Sequence, residues 1–416
     1  MKFTMKRLML LLLLISGIAS AEDTLKIVID EGIENALPIA VIPFGWEQDT
    51  LEPVDVSLVI TNDLARSGRF APMKERDLPQ RPNEFQQINF KDWRLLNMEN
   101  LVIGNLKQVN ADTYEVEFRL INTYNGRQLA GFRIPTPANQ LRRTAHRISD
   151  IIFEKLTGIR GAFDTRIAYI TVKNLADNKK QYNLQIADAD GFHPQILLSS
   201  EQPLLSPAWS PDGKRLAYVS FENGNSAIYV QDILTGKRAM VAGNKGINSA
   251  PAWSPDGTRL AMTLSVNGNP DIYIMRLDNR ATQRLTFNQA IDTEPVWAED
   301  GSKIAFTSDR GGTPQIYETS AIGGEARRLT FDGNYNARPR YSPDGKYMTM
   351  VTSRNDGKYR IALLDLNGGY STFSTPLTSG IRLFRRRSTP ILSVIAAPGQ
   401  PWQAPWSLTW TIPSGV

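Results

Sequence analysis

Pro207-Ala-Trp209-Ser-Pro-Asp-Gly213 recurs as Pro251-Ala-Trp253-Ser-Pro-Asp-Gly257, as Pro295-Val-Trp297-Ala-Glu-Asp-Gly301 and as Pro339-Arg-Tyr341-Ser-Pro-Asp-Gly345. The aromatic residues stand at 209, 253, 297 and 341, a constant interval of 44 residues. Each copy runs into a second apolar stretch: Arg215-Leu-Ala-Tyr218, Arg259-Leu-Ala-Met262, Lys303-Ile-Ala-Phe306 and Tyr347-Met-Thr-Met350. Another follows in Ala227-Ile-Tyr-Val230, Asp271-Ile-Tyr-Ile274, Gln315-Ile-Tyr-Glu318 and Arg360-Ile-Ala-Leu363, and a last one in Arg284-Leu-Thr286 and Arg328-Leu-Thr330. A degenerate earlier copy passes through Arg166-Ile-Ala-Tyr169, Tyr182-Asn-Leu-Gln-Ile186 and Ile196-Leu-Leu198, so five copies are recognisable.

Ser-Pro-Asp-Gly is a turn: proline fixes φ, the aspartate side chain caps the turn, and glycine takes positive φ. Alternating apolar residues mean that each strand buries one face. About four short strands per repeat make one propeller blade, and a lone blade cannot bury its faces, so the blades must stack in a ring.

Ahead of the array lies a different pattern. Leu25-Lys-Ile-Val-Ile-Asp and Leu37-Pro-Ile-Ala-Val-Ile-Pro-Phe44 read as strands. Val56, Val59, Ile60 and Leu64 have helical spacing, and that helix stops at Gly68. Asn100 to Val109, Thr113 to Thr123 and Gln128 to Ile134 are further strands. Leu141, Ala145, Ile148, Ile152 and Leu156 mark a second helix, ended by Gly158. The fold class expected is mainly β: a small N-terminal α/β domain over 34–158, then β-propeller repeats over 159–380.

The chain has 416 residues and a formal charge of +5, with no cysteine and two histidines. The first 21 residues carry +3 and the last 36 carry +4, which leaves the body between them at −2. A general phosphate-binding surface is therefore not indicated, and no nucleic-acid partner is expected. Residues 1–21 have a basic start, an apolar run over Leu8 to Ile18 and small residues Ala19-Ser20-Ala21, the three parts of a secretory signal cleaved after Ala21. A mature chain from Glu22, free of cysteine, fits a bacterial periplasm, with residues 22–33 as a flexible start.

Chemistry-bearing motifs are few. There is no Gly-x-Ser-x-Gly elbow, no His-Glu-x-x-His and no phosphate-binding glycine loop. The lack of cysteine excludes thiolate zinc sites and a cysteine nucleophile, and two histidines are too few for a histidine-rich metal site. His146, between Ala145 and Arg147, reads as an exposed helical histidine, and His193 as an exposed loop histidine. Asp188-Ala-Asp190-Gly191 begins like a calcium loop, but Ser199 stands where the twelfth-position acid belongs, so it reads as an inter-strand turn. No cofactor or metal is expected, and no enzyme.

The signal, the α/β domain and the Trp-Ser-Pro-Asp-Gly repeats together resemble the TolB family of the Tol-Pal system. The resemblance runs from Glu22 to about Gly380. It is carried by Leu37 to Phe44, Phe153-Glu-Lys-Leu-Thr-Gly-Ile159, Thr165-Arg-Ile-Ala-Tyr169 and Ser206 to Gly213. It implies a six-bladed, non-enzymatic periplasmic scaffold that maintains the outer membrane and its constriction at cell division. The lipoprotein Pal would bind the propeller face, at Ile247, Asn248, Asp292, Thr293, Glu294, Asn336, Ala337 and Arg338. TolA would bind the mature start, with Glu22, Asp23, Thr24 and Leu25, and the membrane would be reached only through these partners. The alternatives are a periplasmic propeller for a carbohydrate or small ligand, and a protease gate lacking its catalytic domain.

Where a sixth Pro-x-aromatic unit is due, residues 381–416 bring Arg385-Arg-Arg387, no acid, five prolines and three tryptophans. Period and composition change together there. The stretch reads as an aberrant, frame-shifted tail that is irregular and leaves the ring open or strained between the first and fifth blades; the alternative is a real basic, aromatic segment for anionic lipid or nucleic acid.

Overall fold

The computed structural model describes residues 36–46, 48, 52–354, 358–368 and the backbone of 371–373. The signal, the mature start, the strand expected from Leu25 and the tail over 381–416 lie outside the described residues. No helix among the described residues is long and apolar enough to cross a membrane.

The N-terminal domain holds strands β1 (Leu37–Val41), β2 (Gly45–Trp46), β3 (Phe70–Pro72), β4 (Asn100–Asn110), β5 (Thr113–Asn122) and β6 (Gln128–Pro137). Their order is β3-β1-β4-β5-β6, with β2 also pairing with β4. Strand β1 runs parallel to β3 and β4, while β4, β5 and β6 are antiparallel. Helices α1 (Val56–Arg66) and α3 (Leu141–Thr157) cover one sheet face, packing Val56, Ile60, Leu64, Leu141, Ile148 and Ile152 on Val102, Val116 and Phe118. Helix α2 (Phe90–Leu95) covers the other with the fully buried Trp93. Asp55 caps α1 by accepting from Leu58 N at 2.8 Å, and Gly158 ends α3 at φ 71°. Burial of about ten large side chains here contributes on the order of 1.5–3 kcal/mol each.

The propeller follows as five sheets. The first has three strands, β7 (Arg166–Asn174), β8 (Lys180–Asp188) and β9 (Gln195–Ser200). The second is β10 (Leu204–Trp209), β11 (Arg215–Ser220), β12 (Ala227–Asp232) and β13 (Arg238–Ala242). The third is β14 (Asn248–Trp253), β15 (Arg259–Leu264), β16 (Asp271–Arg276) and β17 (Thr282–Arg284). The fourth is β18 (Asp292–Trp297), β19 (Lys303–Ser308), β20 (Gln315–Ser320) and β21 (Arg327–Arg328). The fifth is β22 (Tyr335–Tyr341), β23 (Tyr347–Ser353), β24 (Tyr359–Asp365) and β25 (Ser371–Phe373). Each Ser-Pro-Asp-Gly turn closes as its chemistry demands: Gly213 N donates to Ser210 O at 2.9 Å, Asp212 Oδ1 accepts Lys214 N at 3.1 Å, and Gly213 has φ 65°.

The apolar cores lie between blades, not within them. Ala168 and Leu184 of the first pack on Trp209, Leu216 and Tyr218 of the second. Further cores join the second to the third, the third to the fourth and the fourth to the fifth. Among the described residues no such core joins the fifth blade to the first.

His146 corrects the sequence reading. It is 1% exposed, packed between helix α1 and the β8–β9 turn, with Nδ1 2.6 Å from Asp63 Oδ2. A helix gripped on two sides buries more than its apolar stripe, and the second side here is covered by the propeller. His193 is exposed, as its loop position implied.

Candidate functional site

In a propeller blade the innermost strand comes first, so β10, β14, β18 and β22 line the central channel. Each is broken at the same place. Ser206, Ala250, Glu294 and Arg338 occupy one repeat position, each just before a proline, with φ of 51°, 49°, 57° and 57°. A left-handed conformation costs an L-residue roughly 1–2 kcal/mol. The ladder shifts register at these points, between Leu205 and Ala208, Ser249 and Ala252, Thr293 and Val296, and Ala337 and Arg340. These are bulges, which re-aim a side chain at the expense of pairing. A proline without an N–H sits in the gap, where no ladder bond is lost.

Two bulge residues of neighbouring blades meet. Glu294 Oε1 accepts from Arg338 Nε at 2.8 Å, and Glu294 Oε2 accepts from Thr307 Oγ1 at 3.0 Å and from Arg338 N at 3.1 Å. Thr263 Oγ1 donates to Thr293 Oγ1 at 3.3 Å across the preceding seam. Burial pushes the Tyr335 hydroxyl up, and the nearby Glu294 carboxylate adds to this, so Tyr335 stays a neutral donor and acceptor.

The residues expected on the propeller face, Ile247, Asn248, Asp292 to Glu294 and Asn336 to Arg338, lie for the most part at the starts of these strands. Asn248, Asp292 and Asn336 are fully buried, and Ala337 is nearly so. Asn248 Nδ2 donates to Ser226 O at 2.9 Å and Asn244 O at 2.7 Å. Arg310 Nη2 lies 3.0 and 2.8 Å from the two carboxylate oxygens of Asp292. Asn336 Nδ2 donates to Gln315 Oε1 at 2.9 Å. These three side chains anchor the strand starts from inside. Of the residues expected on the face, Ile247 is 45% exposed, while Glu294 and Arg338 are half-buried in the pair described above.

The same end of the propeller carries exposed rings that sequence reasoning passed over. Phe287 and Phe331 are 74% and 73% exposed in the connections that lead into β18 and β22. Each lies under an arginine, with Arg284 Cζ 4.9 Å from the Phe287 ring and Arg328 Cζ 5.1 Å from the Phe331 ring. The arginines are themselves fixed, since Arg284 Nε donates to Thr286 O at 2.8 Å and Arg328 Nε to Thr330 O at 2.6 Å. The signal was present as Arg284-Leu-Thr-Phe287 and Arg328-Leu-Thr-Phe331, 44 residues apart. With Ile247 and the half-exposed Ile291, they place four exposed apolar side chains on the connections that lead into β14, β18 and β22. Such a surface suits a macromolecular partner. Glu22, Asp23, Thr24, Leu25 and Ala21 lie outside the described residues.

Comparison with known proteins agrees with this architecture. A family model for the TolB beta propeller domain matches residues 153–381, and one for the TolB amino-terminal domain matches residues 25–129. The Tol-Pal system protein TolB of Thioalkalivibrio sulfidiphilus is 51% identical over 230 residues, covering 55% of this chain and 53% of that protein. The Nitrosococcus oceani protein of the same name is 52% identical over 243 residues, covering 58% and 56%. The chain thus spans about half the length of the curated relatives it matches. The crystal structure of TolB from Acinetobacter baumannii aligns with a TM-score of 0.76 at 41% identity, over 83% of this chain and 84% of that one. The propeller match alone takes in more than half of the sequence, and the chain belongs to the TolB family.

Proposed function

We propose that the chain is a non-enzymatic, periplasmic protein-binding scaffold of the Tol-Pal system, serving outer-membrane integrity and constriction at division. In this reading Pal docks on the propeller face, and TolA takes the mature start from Glu22. The domain bounds go with it: 1–21 signal, 22–33 flexible start, 34–158 α/β domain, 159–380 propeller. The observation that carries the proposal is the set of exposed apolar side chains Phe287, Phe331, Ile247 and Ile291 on the connections into β14, β18 and β22, whose strand starts are locked by Asn248, Asp292 and Asn336. Rigid frames with exposed aromatic anchors are what protein partners use. Depressions elsewhere offer little to a small ligand. One of 370 Å³ is lined by Lys303, Glu318 and Arg327, another of 580 Å³ by Lys74, Glu75 and Arg81, and both are open and charged.

The test is a titration of the purified chain with the soluble domain of Pal. Phe331→Ala and Phe287→Ala should each weaken binding about ten-fold or more at unchanged fold, the usual loss at an aromatic hot spot. Removal of Glu22 to Gly32 should abolish TolA binding and spare Pal. Unaltered Pal affinity in both phenylalanine variants would move the docking site elsewhere, and loss of Pal alone on the deletion would reverse the partner assignment.

A further inference from the structure

Only two histidines occur in the chain, and the fold brings both to one turn. The β8–β9 turn, with Asp188, Asp190 and His193, docks against α3, which carries His146. Arg66 Nη1 on α1 donates to Ala189 O at 2.8 Å, and Arg142 on α3 bonds to Asp190 Oδ2. This turn is therefore a contact between the α/β domain and the first blade.

The state of His146 follows from its surroundings. Asp63 is buried and held by Arg66 Nη2 at 2.9 Å, so it is a carboxylate, and the 2.6 Å contact requires His146 Nδ1 to donate to it. In a neutral ring Nε2 is then a lone pair. It is buried, makes no hydrogen bond, and lies 3.8 Å from Asp190 Oδ2. Two acceptors facing each other in a buried site repel unless a proton or a metal ion stands between them. The second histidine repeats the spacing, with His193 Nδ1 3.7 Å from Asp188 Oδ2. Both gaps are too long for hydrogen bonds. They are close to the edge of a tetrahedral zinc site, where metal–ligand bonds of roughly 2.0–2.2 Å put neighbouring donors about 3.4 Å apart. Donor atoms of His146, Asp188 and Asp190 lie within 4.8 Å of one another.

We propose that His146 Nε2, Asp188 and Asp190 form the core of a site for a divalent transition-metal cation of the zinc class, joining the α/β domain to the first blade, with His193 Nδ1 turning in beside Asp188 from the open side to complete it. Asp63 completes it as the carboxylate that orients a ligating imidazole through its far nitrogen. Two nitrogens and two carboxylate oxygens suit Zn²⁺ or Co²⁺, whereas calcium requires six or more oxygens. Asp63, Asp188 and Asp190 face Arg66 and Arg142, which leaves the cluster with one net negative charge. Arg142 and Phe192 N, the latter at 3.1 Å from Oδ1, occupy one lone pair on each Asp190 oxygen. A carboxylate has further lone pairs to offer.

The experiment uses the full chain, stripped with chelator and titrated with Co²⁺. Saturation at one equivalent with the strong visible bands of tetrahedral Co²⁺, displaced by Zn²⁺, is the expected result. Asp188→Asn and His193→Ala lie on the open side and should keep the fold while weakening binding about ten-fold or more. His146→Gln should abolish it, and because that variant removes a buried contact, the decision rests on the first two. Zinc should raise the melting temperature of the unmodified chain and raise that of Asp188→Asn markedly less at the same concentration. The proposal is overturned by the absence of saturable binding, by weak octahedral-type bands, or by equal affinity in Asp188→Asn, His193→Ala and the unmodified chain.

Discussion

The first three seams between blades are joined by one repeated device, which can be broken and weighed. Arg215 begins β11, and its Cζ lies 4.6 Å from the ring centre of Trp253 in the next blade. Its Nη2 donates to Gly257 O in that blade's turn at 3.3 Å. Trp253 is 7% exposed and returns a bond, Nε1 donating to Ala208 O at 3.1 Å. A partly desolvated cation over an indole contributes about 1 kcal/mol and up to 2. A longish bond to a carbonyl adds about 0.5–1 kcal/mol. Arg215→Ala should therefore cost about 2 kcal/mol. Trp253→Phe keeps most of the ring but loses the N–H and the better π face, for about 1–2 kcal/mol. The two should couple by about 1 kcal/mol in a double-mutant cycle, because they share the stacking contact. The assay is urea unfolding, followed by tryptophan fluorescence and by circular dichroism, with coincident curves required before free energies are compared. Arg166→Ala is an internal scale: Arg166 Cζ stands 5.2 Å from Trp209, so the loss should be smaller. A coupling of zero, or an Arg215→Ala cost below about 0.3 kcal/mol, would show that the arginines are solvated bystanders and that apolar burial alone holds the seams.

Other perturbations test other links. Asp292→Ala leaves the guanidinium of Arg310, which is 17% exposed, without its carboxylate, and should cost about 3 kcal/mol by the same unfolding measurement. Gly246 has φ 97°, and an added Cβ would stand 2.4 Å from Ser265 Oγ, so Gly246→Ala should lose about 1–2 kcal/mol and displace Ile247. Burial pushes the Asp150 carboxyl up to about 6, against backbone N–H bonds from Phe163 and Asp164. The folded state thus holds this proton more tightly than the unfolded chain. Its contribution is complete below pH ~4 and is lost as pH rises through about 6, by about 3 kcal/mol, and Asp150→Asn should flatten that part of the stability–pH curve.

The propeller was legible because each repeat states its own chemistry: Pro-Asp-Gly turns, alternation in the strands, and a fixed period. The α/β helices were legible from spacing and from Gly68 and Gly158. Short elements were not, and β2, β3 and α2 span too few residues to show a period. The bulges at Ala250, Glu294 and Arg338 escaped notice because a non-glycine residue before proline carries no mark of positive φ. The burial of Asn248, Asp292 and Asn336 was hidden because their partners, Ser226, Arg310 and Gln315, sit about 20 residues away in sequence. His146 looked exposed for a similar reason: its partners Asp63 and Asp190 come from α1 and from the propeller, and helical periodicity reports only the face that meets the helix's own sheet.

The fourth seam shows what the period preserves when the residues change. Where Arg215 and Arg259 stack over tryptophan, the equivalent pair is Lys303 and Tyr341. Lysine cannot lie flat on a ring, and tyrosine has no indole N–H to return. A third exchange compensates: Val230 and Ile274 of the earlier blades become Glu318. Glu318 accepts from Tyr341 Oη at 2.8 Å, Lys303 Nζ at 3.1 Å and Arg327 Nη2 at 3.3 Å. Burial pushes its carboxyl up, and the Tyr341 hydroxyl with the Lys303 and Arg327 charges outweighs this, holding it below the ordinary glutamate range. Its contribution is therefore present at neutral pH and is lost as pH falls through the depressed value. The same joint, made elsewhere from an aromatic face and a backbone carbonyl, is made here from a carboxylate and two cations. Because Lys303 is half exposed, salt and acid loosen this joint in a way that neither loosens a guanidinium over an indole.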